Sequence, residues 1–203
     1  MREYRAVKAG ETRTTIEKSV FLTYTRPIAD EAEAQAFIRE LRDRHADATH
    51  VCYGYVADPA GAIHRFSDDG EPSGTAGMPI LEVVKNNGLR CSLIAVVRWF
   101  GGIKLGAGGL TRAYSGCAAA AVRAAGETVY READAYEIAT DFAGCNKIKK
   151  IPSHLLCKID AIEYNSTVCL QVYGTENLPQ AVAEVTAGRA TVEHKGKRFV
   201  CID

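Results

Sequence analysis

Between Gly101 and Gly109 five of the nine residues are glycine, Lys104 sits among them, and Arg98 and Arg112 flank the stretch. Glycine in an ordered element costs about 0.5–1 kcal/mol relative to alanine, so a folded chain clusters it only for a geometric reason. Two reasons fit. Exposed backbone N–H groups, cations around them and a following helix make a cradle for a phosphate or another anion. Alternatively, the glycines serve a tight crossing where a helix lies close to a sheet. The stretch matches neither GxxxxGK[ST], because Leu105 follows Lys104, nor GxGxxG, so no standard nucleotide fingerprint applies. The residues expected to bind an anion, a nucleic acid or a partner are Arg98, Gly101, Gly102, Lys104, Gly106, Gly108, Gly109 and Arg112.

The opposite charge comes from SDDGEPSGT (67–75), with Asp68, Asp69, Glu71, Ser73 and Thr75 as its polar side chains. Hard oxygen ligands suit Mg²⁺. The same residues suit a turn, with Ser73 or Thr75 capping a following helix and the acids pairing with the basic stretch. The turn-and-cap reading is the stronger, so neither a metal nor a cofactor is expected. His50 and Cys52 share one face of a strand, and His64 is expected across a hairpin. A cysteine nucleophile also needs an orienting group and a lowered pKa, neither of which the sequence offers. No catalytic residue is assigned. Cys117, Trp99 and Phe100 read as packing, and the KIKK stretch (147–150) as a solvated helix face.

Composition narrows the classes. Of 203 residues 47% are hydrophobic and 25% charged, with 25 Lys+Arg against 25 Asp+Glu. Zero net charge excludes a protein that coats nucleic acid through bulk charge and leaves a local patch as the only electrostatic route. MREYRAVKAG has no apolar segment, so no secretory signal is expected. The longest apolar runs, LIAVV and AAAAV, fall far short of the roughly 20 residues that span a bilayer, so no membrane partner is expected. Seven cysteines without CxxC spacing point to reduced thiols and a cytoplasmic location.

These residues must be positioned by an alternation of strands and helices. Residues 3–8 and 12–28 read as strands. Asp30 followed by Glu33 opens a helix that ends near His45–Asp47. HVCYGYVA (50–57), a DPAG turn and AIHRF (62–66) form a hairpin. Residues 78–88 read as a helix, 91–100 as a strand covered on both faces, and Leu110–Gly126 as an alanine-rich helix. GETVYREA looks like a connector. The order β-α-β-β-α-β then follows to the end, which is that of a ferredoxin-like split βαβ unit.

HRFSDDGEPSGTAGMPILEVV (64–84) and VVRWFGGIKLGAGGLTRAYSG (96–116) resemble the two signature stretches of the YigZ/IMPACT family. IEKSVFL and DATHVCYGYV add to the likeness, which covers residues 1–126; Val20 and Met78 stand where the family often has arginine. The resemblance implies an α+β protein. Residues 1–126 would form a ribosomal protein S5 domain 2-like α/β sandwich, 127–134 a linker, and 135–203 a ferredoxin-like βαββαβ domain. It further implies a non-enzymatic accessory or regulatory role linked to translation, with RNA, the ribosome or a protein of the translation machinery as partner. The alternative is an enzyme that holds a phosphorylated small molecule or nucleotide on the glycine stretch.

Overall fold

The computed structural model describes residues 2–201. It divides into two compact units, Tyr4–Thr128 and Met1–Glu3 with Val129–Asp203. In chain order the elements are β1 (Glu3–Val7), β2 (Gly10–Ile16), β3 (Ser19–Pro27), α1 (Glu31–Arg44), β4 (His50–Val56), β5 (His64–Ser67), α2 (Gly77–Asn86), β6 (Ser92–Trp99) and α3 (Gly106–Ala125). There follow β7 (Glu127–Thr140), α4 (Phe142–Ile148), β8 (Leu156–Tyr164), β9 (Val168–Gly174), α5 (Leu178–Thr186) and β10 (Thr191–Cys201).

One antiparallel sheet runs β2-β3-β6-β4-β5. Its central strand β6 is apolar at nearly every position because both faces are covered. Leu93, Ala95 and Val97 pack with Phe37, Ile38 and Leu41 of α1 on one side. Ile94 and Val96 pack with Ile80 and Val84 of α2 and Tyr114 and Cys117 of α3 on the other. The period-2 alternation of a strand thus sends Arg98 to the α2/α3 face, into the core.

The other sheet runs β1-β7-β9-β8, with β10 on β7 as well. Helices α4 and α5 cover it through Cys145, Ile148, Leu178 and Val182, which pack with Ile138, Leu170 and Val172. Strand β7 is antiparallel to both β9 and β10, and β8 is antiparallel to β9.

Several local expectations change. Residues 12–28 are two strands joined by Glu17 and Lys18, both at positive φ. That is a two-residue hairpin turn without the usual Asn or Gly. Residues 127–134 are no connector but the first half of the continuous strand β7. α3 begins at Gly106 rather than near Leu110, so Gly106, Gly108 and Gly109 lie in a helix instead of a loop. The cap of α2 comes from neither Ser73 nor Thr75. Asp68 reaches in from the preceding loop, and its Oδ1 accepts from the N–H groups of Ala76 and Gly77 at 2.9 Å each. Asp30 caps α1 as expected, accepting from Glu33 N–H at 2.8 Å.

Candidate binding cleft

The buried charge on β6 organises the site. Strand register sets Phe21 of β3 and His50 of β4 on either side of Arg98. Only 4% of Arg98 is exposed, and a guanidinium there requires a partner. Glu71 supplies it across 2.5 Å from Nη1 to Oε1, with Glu71 itself 8% exposed. Arg98 Nη2 donates to Ser19 Oγ at 3.1 Å, and the guanidinium carbon lies 5.3 Å from the Phe21 ring centre and 5.5 Å from that of Phe100. Nε of Arg98 is buried and has no partner among the described residues. Arg98 is therefore withdrawn from the expected anion-binding set. Its charge is neutralised internally, and it holds the acidic loop to the sheet.

The acidic loop is spent the same way. Besides the two cap bonds, Asp68 takes the N–H of Gly74 on Oδ2 at 2.8 Å. Asp69 accepts from Val51 N–H at 2.7 Å and pairs with Arg42 at 2.8 Å. Its φ of +45° and the +88° of Gly70 make the sharp turn between Asp68 and Glu71. Thr75 donates to the carbonyl of Pro72, while Ser73 is exposed. Among the described residues no group of three His, Cys, Asp or Glu side chains is arranged to hold a metal ion.

Glu71 accepts a second hydrogen bond on the same oxygen, with His50 nearby. Tyr114 Oη donates to Oε1 at 2.7 Å, and His50 Nε2 lies 3.8 Å away. His50 Nδ1 sits 2.8 Å from the carbonyl oxygen of Asp69. A carbonyl only accepts, so the proton of the neutral ring is on Nδ1 and Nε2 presents a lone pair. Cys52 is no nucleophile. Burial pushes its thiol up to about 12, and Sγ donates to the carbonyl of Asp68 at 3.0 Å. Burial likewise raises Tyr114. His64 is opposite Val56, away from both His50 and Cys52.

Around this cluster is a cleft of about 400 Å³, lined by Thr49, His50, Glu71, Pro72, Arg98, Phe100 and residues 104–107 and 110. Phe100 is 46% exposed, against the expectation of burial, because it lies one residue beyond the end of β6. Trp99 instead packs on His45 and donates to Asp47 at 3.0 Å. A second depression of about 480 Å³ is lined by Ile16, Glu17, Ile103–Leu105, Gly109, Arg112 and Ala113. Lys104 and Leu105 border both. The three cations expected together are thus divided: Arg98 is buried, Lys104 stands on the ridge between the depressions, and Arg112 faces the second.

The glycines divide too. A Cβ on Gly101 would overlap the Lys18 carbonyl, so the β2–β3 turn requires glycine there. Gly102 and Gly106 have φ of +85° and +69°. A Cβ on Gly108 would meet only Arg112 Nη1 at 3.5 Å, an ordinary van der Waals approach. Internal geometry therefore explains Gly101, Gly102 and Gly106, a Cβ on Gly109 would crowd Leu105 Cβ at 3.1 Å, and Gly108 is left unexplained. What sequence reading missed is the convergence of His50, Tyr114 and Arg98 on Glu71. The period-2 placement of Arg98 beside Ile94 and Val96 was the only signal that it had to be paired.

Comparison with known proteins places this arrangement. Residues 17–122, which hold the whole cluster, match the Impact N-terminal domain. The chain belongs to the IMPACT family. It is 35% identical over 198 residues to the IMPACT family member YvyE of Bacillus subtilis, covering 95% of this chain and 91% of that protein. To the IMPACT family member YigZ of Escherichia coli it is 33% identical over 191 residues, covering 93% and 92%. A crystal structure of a hypothetical protein matches with a TM-score of 0.65 at 29% identity, covering 95% of this chain and 97% of the other. The likeness to these IMPACT proteins extends across both units.

Proposed function

We propose that this IMPACT protein is a cytoplasmic, non-enzymatic accessory or regulatory factor linked to translation, and that it binds RNA through the start of α3. One observation carries the reading. Lys104 and Arg112 are exposed without a partner among the described residues, the first just before and the second within the first two turns of a 20-residue helix whose N-terminus has no side-chain cap. Free N–H groups and the positive end of the dipole attract phosphate there. The alternative, an enzyme acting on a phosphorylated small molecule, loses support because Asp68 and Asp69 are occupied by backbone N–H groups and Arg42. The sheet order β10-β7-β9-β8, with α4 and α5 as the crossings, favours a ferredoxin-like reading of the second unit. The S5 domain 2-like reading of the first rests on the family resemblance.

Fluorescence anisotropy of the full chain with labelled single-stranded RNA over a salt series tests the proposal. The logarithm of affinity should fall linearly with that of salt. Removing one cation from a phosphate should shallow the slope by about 0.7, so Lys104→Ala/Arg112→Ala should shallow it by about 1.4. Salt-independent affinity, or affinity unchanged in the double variant, overturns RNA binding at this surface. Absence of binding at low salt turns the search to a protein partner.

A further inference from the structure

Glu71 is anchored by one oxygen only. Arg98 and Tyr114 both donate to Oε1, His50 Nε2 lies 3.8 Å from it, and Oε2 has no hydrogen-bond partner among the described residues. Yet the side chain is only 4% exposed, and it lines the cleft. Unlike Arg98 Nε, Oε2 is not sealed from solvent, so this acceptor in the cleft wall is open to a donor from a ligand. Beside it the neutral form of His50 presents a second lone pair on Nε2, because Nδ1–H is held by the Asp69 carbonyl. The cleft therefore ends in two acceptor atoms.

Charge selects the kind of donor. Glu71 is already neutralised by Arg98, so an incoming ammonium would be set beside a buried guanidinium with no net charge to attract it. A neutral N–H edge meets no such repulsion. Along the wall stands Phe100, a large aromatic ring left exposed at the cleft edge. Its π-face suits stacking with a flat heterocycle. Lys104 stands at the rim next to Gly106 and Ala107, the first residues of α3. A volume of about 400 Å³ is within the range of small-ligand sites, about 300–1,000 Å³. A donor edge, a planar body and an anion at one end together describe a nucleotide.

We propose that this cleft takes a single unpaired nucleotide, its base stacked on Phe100 with adjacent N–H donors toward Glu71 Oε2 and His50 Nε2, and its phosphate at Lys104. Guanine is preferred, because N1–H and the N2 amino group lie side by side on its Watson–Crick edge. Inosine keeps one of the two. Uracil offers one N–H between two carbonyls, which would face the acceptors. The proposal rests on the RNA-binding reading above and adds base selection to it.

The test measures anisotropy of a short labelled oligouridylate against the same strand with one central guanosine or inosine, and titrates GMP and UMP by calorimetry, all with the full chain. The guanosine strand should bind about tenfold tighter than oligouridylate, with inosine between them. Phe100→Ala, a change at an exposed site that the fold should tolerate, should abolish that preference. Lys104→Ala should weaken all strands alike. A preference for GMP over UMP without strand binding supports the pocket for a free nucleotide and removes the RNA reading. Strands that all bind alike, with a salt slope carried by Lys104 and Arg112, leave the RNA reading standing and overturn the pocket. A guanosine preference that survives Phe100→Ala also overturns it.

Discussion

Replacing Arg98 by methionine separates the two roles that its position allows. Read as a flanking cation, Arg98 would be dispensable for folding and needed for binding. In the structure its side chain is 5% exposed and faces a carboxylate 4% exposed across 2.5 Å. Removing one member of such a buried pair costs about 3–5 kcal/mol, because the other charge is left uncompensated. Arg98→Met should cost that much, since among the described residues Glu71 would keep only Tyr114 as a hydrogen-bond donor. Glu71→Gln should cost somewhat less, about 2–3 kcal/mol, because the amide oxygen still accepts from both neighbours. The double variant leaves no buried charge and should lie within about 2 kcal/mol of wild type, a coupling of about 3 kcal/mol or more. Urea unfolding reads this directly through Trp99, the single tryptophan, which ends β6 beside the pair. If Arg98→Met costs less than about 1 kcal/mol and weakens RNA binding as much as Lys104→Ala does, the internal pairing argument is wrong.

Other sites carry sharper local tests. Asp68→Ala strips the acceptor from the Gly74, Ala76 and Gly77 N–H groups and should cost about 3 kcal/mol in urea unfolding, whereas a wild-type midpoint would deny the cap. Gly101→Ala drives a Cβ into the Lys18 carbonyl and should cost at least about 2 kcal/mol, while Gly108→Ala, which meets only the end of a flexible side chain, should be neutral or stabilising. The Cys52 thiol is held near 12 in the fold and titrates near 8.5–9 when unfolded. The unfolded chain therefore ionises first, and stability should fall by about 1.4 kcal/mol per pH unit from about 9 towards 12. Cys52→Ala should flatten that part of the stability–pH curve, and an unchanged slope would refute the assignment.

Where local chemistry suffices, the sequence is legible. Asp30 and Glu33 begin α1, Gly88 ends α2, and the unbroken apolar run of β6 declares a strand covered on both sides. It is less so where propensity and packing disagree. Glycines 106, 108 and 109 read as a loop because each is a poor helix former. Leu110, Ala113 and Tyr114 nevertheless bury one face of α3 in the core, which draws the helix back to Gly106. The Glu17–Lys18 turn carries neither Asn nor Gly, so nothing local announces the hairpin. Residues 127–134 carry turn-like polarity, yet β10 pairs with them through Tyr130–Asp134 and makes them strand.

Two long signature stretches, one acidic and one basic, determined from sequence alone which family the chain resembles and which residues to examine. The zero net charge of the whole chain also established that any anion-seeking surface had to be local. Only the tertiary structure decided which charges remain available. Glu71 and Arg98 are 27 residues apart and meet because register and the Asp69–Gly70 turn bring them together. Charge is a property of a residue, but its availability to a ligand depends on burial and on what already neutralises it. Those are set by partners that one-dimensional order does not name.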